Sequence, residues 1–275
     1  MLIRDKEYLI VREVSNDDNS SQYVLKNSTE EGLFKVLVRK KESFNGNLIK
    51  FLTNQMKNKA FTDFVDYMTD YNNLYVFVKY NDCQNLEQKL KQEVCTLSER
   101  LSIAKSIIEK IIILDIPAYF AYSSLEMQNI LVAKNMDIHF DYDMREIENA
   151  HLVKEGQCVV KLAKILQNLF KKELEDEIMP EMQTLIYNMQ YGEISEVSKV
   201  FERFYRIYTN ESPLSEESAL KEKLIQKFKR FLGGLGFLMK FVILAIAIYY
   251  LFASINAYKT HEFNQNFTQI GTFDT

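Results

Sequence analysis

Histidines, cysteines and paired carboxylates are where chemistry would show first, and this chain places them thinly. His139 stands close to Asp141 and Asp143, a spacing that could in principle ligate a metal, but it sits at a strand end with no second cluster. His151 and His261 are too scattered to complete a zinc site. Cys83, Cys95 and Cys158 form no metal-type pair, and an odd count suits no disulfide framework. They read as small buried or half-buried thiols in a reducing compartment. Neither a metal nor a cofactor is expected on these grounds. Phosphate chemistry is equally under-equipped. Glycine occurs 8 times in 275 residues, under half the roughly 7% usual in proteins. Gly233, Gly234 and Gly236 share one apolar stretch and Gly271 lies beyond it, which leaves Gly32, Gly46, Gly156 and Gly192 for residues 1–230. That supply argues against a Gly-rich loop whose backbone amides could approach a phosphate.

Composition sets further bounds. A hydrophobic content of 47%, 13% aromatic, is enough for a sizeable core. Formal net charge is −4, and the basic residues are interleaved with acids, so nucleic acid is not an expected partner.

The elements that must position any site follow from periodicity. Tyr8 to Val14, Gln22 to Lys26 and Leu33 to Arg39 read as strands, the first two around the polar loop Ser15 to Ser21, with Glu31-Gly32 turning into the third. Ile49, Leu52, Met56, Ala60, Phe64 and Met68 recur every three or four residues and predict one helix, with Asn47 as its cap. Leu74 to Tyr80 is a dense strand, followed by a polar hinge Asn81 to Asn85 and a short helix near Leu86 to Gln92. Thr96 and Glu99 match a capping box, in which each side chain satisfies an orphan backbone donor. Behind them Leu97, Leu101, Ala104, Ile108 and Ile111 form one stripe. Short strands at Ile130 to Val132 and Asp137 to Phe140 flank the turn Lys134-Asn135. Helices then run from Gln157 to about Ile207, and the acidic run Glu173, Glu175, Asp176, Glu177 reads as a solvated turn or helix end. Strands first and helices later make an α+β layout with an N-terminal sheet lobe and a helical C-lobe.

Near the end the character changes. The N-terminus MLIRDKEYLI turns polar too soon for a signal peptide, but Phe231 to Tyr258 carries a single charge, Lys240. Such a stretch reaches the roughly 20 apolar residues needed to cross a bilayer. It is apolar on all faces, which separates it from an ordinary core helix with one apolar stripe. Phe241, Ile243, Leu244, Ile246, Ile248 and Leu251 would face lipid. Lys240 would extend its ammonium to the headgroups near one end, and Tyr249 and Tyr250 lie toward the other. Lys221, Lys223, Lys227, Lys229, Arg230 and Lys240 precede or open the span, against Lys259 beyond it. The excess marks the cytoplasmic side. The expected organisation is a cytoplasmic domain at 1–212, a basic amphipathic juxtamembrane helix at 213–235, a plasma-membrane span at 236–255, and a short external tail at 256–275. Gly233, Gly234 and Gly236 would allow either close helix approach or a flexible break; both readings stay open.

The order of elements resembles a protein kinase. LYVFVKYNDCQNLEQKL looks like the last N-lobe strand, hinge and following helix, and AYSSLEMQNILVAKNMDIHFDYD looks like the catalytic and metal loops, over residues 8 to 207. The resemblance implies a two-lobed kinase-like domain and gives positions for its chemistry. Setting Val36 to Arg39 against the V-A-I-K strand puts Arg39 at the lysine position, with Lys40 one residue off and facing the other way. Anchoring QNIL on the family's asparagine makes Asn129 a retained metal-ligand position. The catalytic aspartate then becomes Ser124, its neighbours Tyr122 and Ser123, and the loop lysine Glu126. The D-F-G position falls at Asp141 or Tyr142, with no glycine after it. The loop SNDDNSS has two acids and no glycine, and no glutamate occurs between Glu42 and Glu87. A kinase outline without its lysine, its base or its phosphate loop is not expected to be an enzyme.

A degenerate kinase-like domain, a basic juxtamembrane helix and one span near residue 240 together resemble the EssB/YukC family, bitopic membrane components of type VII secretion in Gram-positive bacteria. That resemblance implies a non-catalytic pseudokinase scaffold that dimerises. It would bind secretion-machine membrane subunits, an FtsK/SpoIIIE-type ATPase and a small ubiquitin-like protein. This chain departs in having only some 20 residues after the span, either a naturally short form or a truncated one. Two other readings remain beside it: a membrane-anchored atypical kinase or nucleotide sensor, and a signalling pseudokinase that recruits cytoplasmic partners outside secretion.

Overall fold

The computed structural model describes residues 2–3, 6–27, 32–40, 46–70 and 72–211, within one compact unit, Met1–Glu216. Strands β1 (Leu2–Ile3), β2 (Lys6–Asn16), β3 (Ser20–Asn27) and β4 (Leu33–Lys40) are followed by helix α1 (Gly46–Lys57), then β5 (Phe64–Thr69) and β6 (Asn73–Tyr80). They form a six-stranded antiparallel sheet in the order β1-β2-β3-β4-β6-β5. Strands β2 and β3 are joined through a tight turn rather than an open loop. Asp17 Oδ1 accepts from the Asn19 and Ser20 amides at 3.0 and 2.7 Å, a local bonding habit that makes aspartate a turn residue.

The chain then forms β7 (Gln84–Asn85), α2 (Leu86–Gln92), α3 (Leu97–Ile113), α4 (Ala118–Ser124), β8 (Ile130–Val132) and β9 (Ile138–Phe140). A 3₁₀ turn at Ile147–Leu152 leads to α5 (Glu155–Leu169), α6 (Lys171–Glu175) and α7 (Pro180–Gln190). A last described helix, α8, covers 197–211. Strands β7, β8 and β9 make a second antiparallel sheet. The α3 start is the expected capping box: the Thr96 hydroxyl accepts from the Glu99 amide and Glu99 accepts from the Thr96 amide. At the turn after α7, Gly192 holds φ +79°, a backbone conformation that side chains with a Cβ disfavour.

The α+β class holds. The expectation of two kinase-like lobes followed by a transmembrane helix does not. One continuous core runs from Leu37, Leu52 and Val76 on the sheet side through Ile108 and Phe120 to Leu162, Leu185 and Phe204, so burial does not divide the described residues into two lobes. Among the described residues, no helix is long and apolar enough to cross a membrane. The expected juxtamembrane helix, span and tail, with every anchor position from Arg230 through Lys240 to Leu251, lie outside the described residues.

Aromatic rings fill the centre of this core. Phe120, fully buried, lies 5.9 Å from Phe51 of α1, 5.1 Å from Phe61, 6.0 Å from Phe64 of β5 and 5.6 Å from Tyr142, ring centre to ring centre. The Phe51 ring stacks on Phe120, Phe61 is tilted against it, and Phe64 and Tyr142 meet it edge-on. The same cluster explains a second correction. The expected single helix from Ile49 to Met68 stops at Lys57, and its last residues form β5, paired along β6 from Phe64↔Val78 to Thr69↔Leu74. The apolar spacing at Ala60, Phe64 and Met68 happens to continue the helical period. Phe61 and Phe64 instead turn into the cluster, while Tyr67 to Thr69 gain the ladder of β6.

The acidic run 173–177 holds the third. Glu173 is buried, not solvated. Its carboxylate accepts two bonds from Arg100, Nη1 at 2.7 Å and Nη2 at 2.6 Å, and Arg100 also donates to the Leu169 carbonyl at 2.8 Å. This fork ties α3 to the α5–α6 junction. Burial pushes the Glu173 carboxyl up, but Arg100 and the surrounding backbone outweigh it and hold the group below the ordinary glutamate value. A depressed carboxyl stabilises the fold above its unfolded-state pKa, and that contribution disappears as pH falls through the folded value. Glu173→Gln should therefore cost about 2 kcal/mol in urea melts at neutral pH. The gap to wild type should close in melts taken well below the ordinary glutamate value. Phe120→Ala should cost about 3–5 kcal/mol at either pH.

Candidate functional site

The residues singled out for chemistry meet where the underside of the large sheet faces the β8–β9 hairpin and the segment after it. Alternation along β4 turns Lys35, Leu37 and Arg39 toward this region, and Val36 and Val38 toward the opposite face. Lys40 points outward, as its register requires, and its ammonium donates to the Asp18 carbonyl at 2.6 Å.

Lys35 is the cation at the centre, a residue that sequence reasoning passed over. Its side chain is 5% exposed and its Nζ donates to Asp141 Oδ1 at 2.6 Å. Arg39 sits further along the same face. Its Nη1 donates to the Arg145 carbonyl at 3.1 Å and lies 2.8 Å from Glu148 Oε2, a charge contact without hydrogen-bond geometry. Two basic residues of one strand thus hold the segment from Asp141 to Glu148 against the sheet. Neither α1 nor its first turn offers an acid to them.

The other positions are likewise taken up by the fold. Ser124 is fully buried at the end of α4, and its hydroxyl donates to the Ala121 carbonyl at 3.1 Å. Asn129 donates through Nδ2 to the Ser123 carbonyl at 3.0 Å, and its own carbonyl accepts from the Asp141 amide at 2.8 Å. It is therefore a loop clasp, the local role that a turn asparagine commonly takes. Tyr142 is fully buried and its hydroxyl donates to Asp63 Oδ2 at 2.8 Å. Burial first, and the neighbouring Asp63 carboxylate second, push the phenol well above its ordinary pKa, so it stays neutral.

Beside these contacts lies a shallow pocket of about 360 Å³, lined by Tyr119, Tyr122, Ser123, Asp143, Arg145 and Glu146 among others. Arg145 binds Asp143 by three side-chain bonds, Nε to Oδ1 at 3.0 Å and to Oδ2 at 2.9 Å, and a shorter one from Nη2 to Oδ2. Burial pushes the Asp143 carboxyl up, but Arg145 overrides this and holds it below the ordinary aspartate value. An ionised carboxylate already paired with a guanidinium is a weak base. The contacts of His139 are with Asp137, which its Nε2 faces at 3.4 Å, and with Lys110, whose Nζ lies 3.5 Å from Nδ1. Burial and Lys110 lower its pKa. Among the described residues no group of three or more histidines, cysteines and carboxylates could hold a metal ion. Cys158 is buried, and burial raises its thiol to about 12.

Of the four degenerate positions, the structure brings Arg39, Asn129 and Asp141 to one border and leaves Ser124 inside the core. What pattern reading missed is Lys35 and Glu148. The signal for Lys35 was present, as a lysine whose neighbours two residues away on the same face of the strand, Leu33 and Leu37, are both apolar.

No family model matches the chain, and no curated protein matches it.

Removing one partner of a buried ion pair strands the other charge, whereas replacing both with apolar groups need not. Lys35→Met and Asp141→Leu should each cost about 3 kcal/mol alone. The double variant should recover most of that loss, a coupling that a double-mutant cycle in urea would read directly.

Proposed function

We propose that this chain is a non-catalytic scaffold that binds other proteins at the plasma membrane. The observation that carries the reading is that each side chain at a position where chemistry would be done is committed within the fold. Asp141 is held by Lys35, Arg39 by Glu148 and the Arg145 carbonyl, Asn129 by the Ser123 carbonyl and Ser124 by the Ala121 carbonyl. Phosphoryl transfer needs a free base and exposed cations for phosphate. Freeing Asp141 or Arg39 for such a role would break a contact that also holds the Asp141–Glu148 segment in place.

The setting comes from sequence. The apolar stretch between Phe231 and Tyr258, with basic residues concentrated before and at its start, supports attachment to the plasma membrane with the described residues on the cytoplasmic side. The resemblance to EssB/YukC supports a place in a type VII-like secretion machine. The partners would be its membrane subunits, an FtsK/SpoIIIE-type ATPase, a small ubiquitin-like protein and a second copy of the chain.

Two measurements test this reading. Thermal melting of the full chain in mild detergent should be unmoved by saturating ATP and magnesium; a rise that disappears in Asn129→Ala would point to a nucleotide site instead. Affinity purification from solubilised membranes should recover membrane subunits and an ATPase in fixed proportion. Recovery of the protein alone would count against the scaffold.

A further inference from the structure

We infer that the groove between α2 and α5 is a docking site for an acidic amphipathic helix of a partner protein. The inference rests on the scaffold reading and gives it a surface. The groove is the larger concavity beside the candidate site, about 910 Å³. Its floor is apolar: Leu125 and Ile165 are 2% exposed, and the half-buried Leu90 and Met127 lie beside them. Methionine's unbranched thioether lets such a floor adapt to the side chains laid on it.

The rim is basic. Lys91, Lys161, Lys164 and Lys171 border the groove against two carboxylates, Glu87 and Glu126. Both acids are already used, Glu87 by Lys91 at 2.6 Å and Glu126 by Lys161 at 2.8 Å. Lys164 has no carboxylate partner among the described residues, and Lys171 has only a loose contact with Glu175 at 3.8 Å, both side chains well exposed. Lys161, Lys164 and Asn168 recur at helical spacing on α5, and Lys171 opens α6 just beyond, so the surplus charge forms a stripe along one wall. The chain as a whole is acidic, at −4. A local cationic stripe of opposite sign selects an acidic partner and steers its approach.

The form of that partner follows from the backbone. A strand-like peptide binds through free main-chain groups, but two carbonyls of the floor, those of Glu126 and Met127, already accept from the amides of Asn129 and Glu87. The walls are helices. Recognition is left to side chains, as in helix-in-groove binding: apolar residues at i, i+3 or i+4 and i+7 on the floor, with glutamates or aspartates against the lysine stripe.

The test uses the full chain in detergent and a fluorescent two-heptad helical peptide with leucines on one face and glutamates beside them. A second peptide carries lysines for the glutamates. The glutamate peptide should bind saturably, and the lysine peptide should not. The double variant K164E/K171E should weaken the first by roughly tenfold or more, with melting unchanged because both lysines are exposed. Met127→Glu, which places a charge on the floor, should weaken it as well. Equal binding of the two peptides, or undiminished binding by K164E/K171E, would overturn the inference. The titration reads the groove and affinity purification reads the scaffold. If K164E/K171E still recovers every partner that the wild type does, the groove is wrong and the scaffold stands.

Discussion

A lysine ammonium turned into the inner face of a sheet needs a counter-charge, because burying it unpaired would cost more than most single packing contacts return. Lys35 meets that need with Asp141 at 2.6 Å, and much of the architecture follows. The pair fixes where the end of the β8–β9 hairpin sits under β4. Arg39, two pleats further along, then holds the chain through the Arg145 carbonyl and Glu148. Tyr142, next to Asp141, is thereby placed in the aromatic cluster around Phe120, with its hydroxyl on Asp63. The ion pair and the ring cluster are adjacent parts of one arrangement that joins the large sheet, α1, α4 and the β9 segment.

This arrangement has a functional consequence. A site that does chemistry keeps charged groups partly unsatisfied until substrate arrives, and holds them near a cavity. Here the polar groups at the border are bonded to one another across the fold, and the adjoining pocket is small and lined by the paired Asp143 and Arg145. The larger groove lies on the other side of Glu126 and Lys161, two residues that border both cavities. Its rim carries more lysines than carboxylates, with Lys164 of α5 unpaired among the described residues and Lys171 of α6 only loosely held. Satisfied polar groups at one place and a net basic rim at the other are what the proposed scaffold would use.

Local features were legible in the sequence, and features that depend on distant partners were not. The Thr96–Glu99 capping box, strands β2, β3, β4 and β6 of the large sheet and the short helix Leu86–Gln92 are set by neighbouring residues and agree closely with expectation. Asn129 could be read as a turn asparagine from its own context. β5 was lost because Phe64 and Met68 satisfy a helical period and a strand equally well until β6 is known to lie alongside. Glu173 looked solvated amid other acids, since Arg100, which binds it, belongs to a different helix. Lys35 was overlooked because its partner is 106 residues away in sequence, and alignment to a catalytic pattern drew attention to Arg39. The two-lobed outline failed for a related reason: element order says nothing about whether a single core continues across the elements.

The central claim is that the charged residues of the candidate site serve structure and not chemistry. It is tested most directly by complementation of a deletion strain with a chain carrying Lys35→Met and Asp141→Leu together. That change removes both charges while keeping apolar groups in their place. The account predicts that the double variant, present at normal abundance and melting near the wild type, restores function fully. A folded, abundant double variant that fails to restore it would show that the pair takes part in the chain's activity, and would contradict the account.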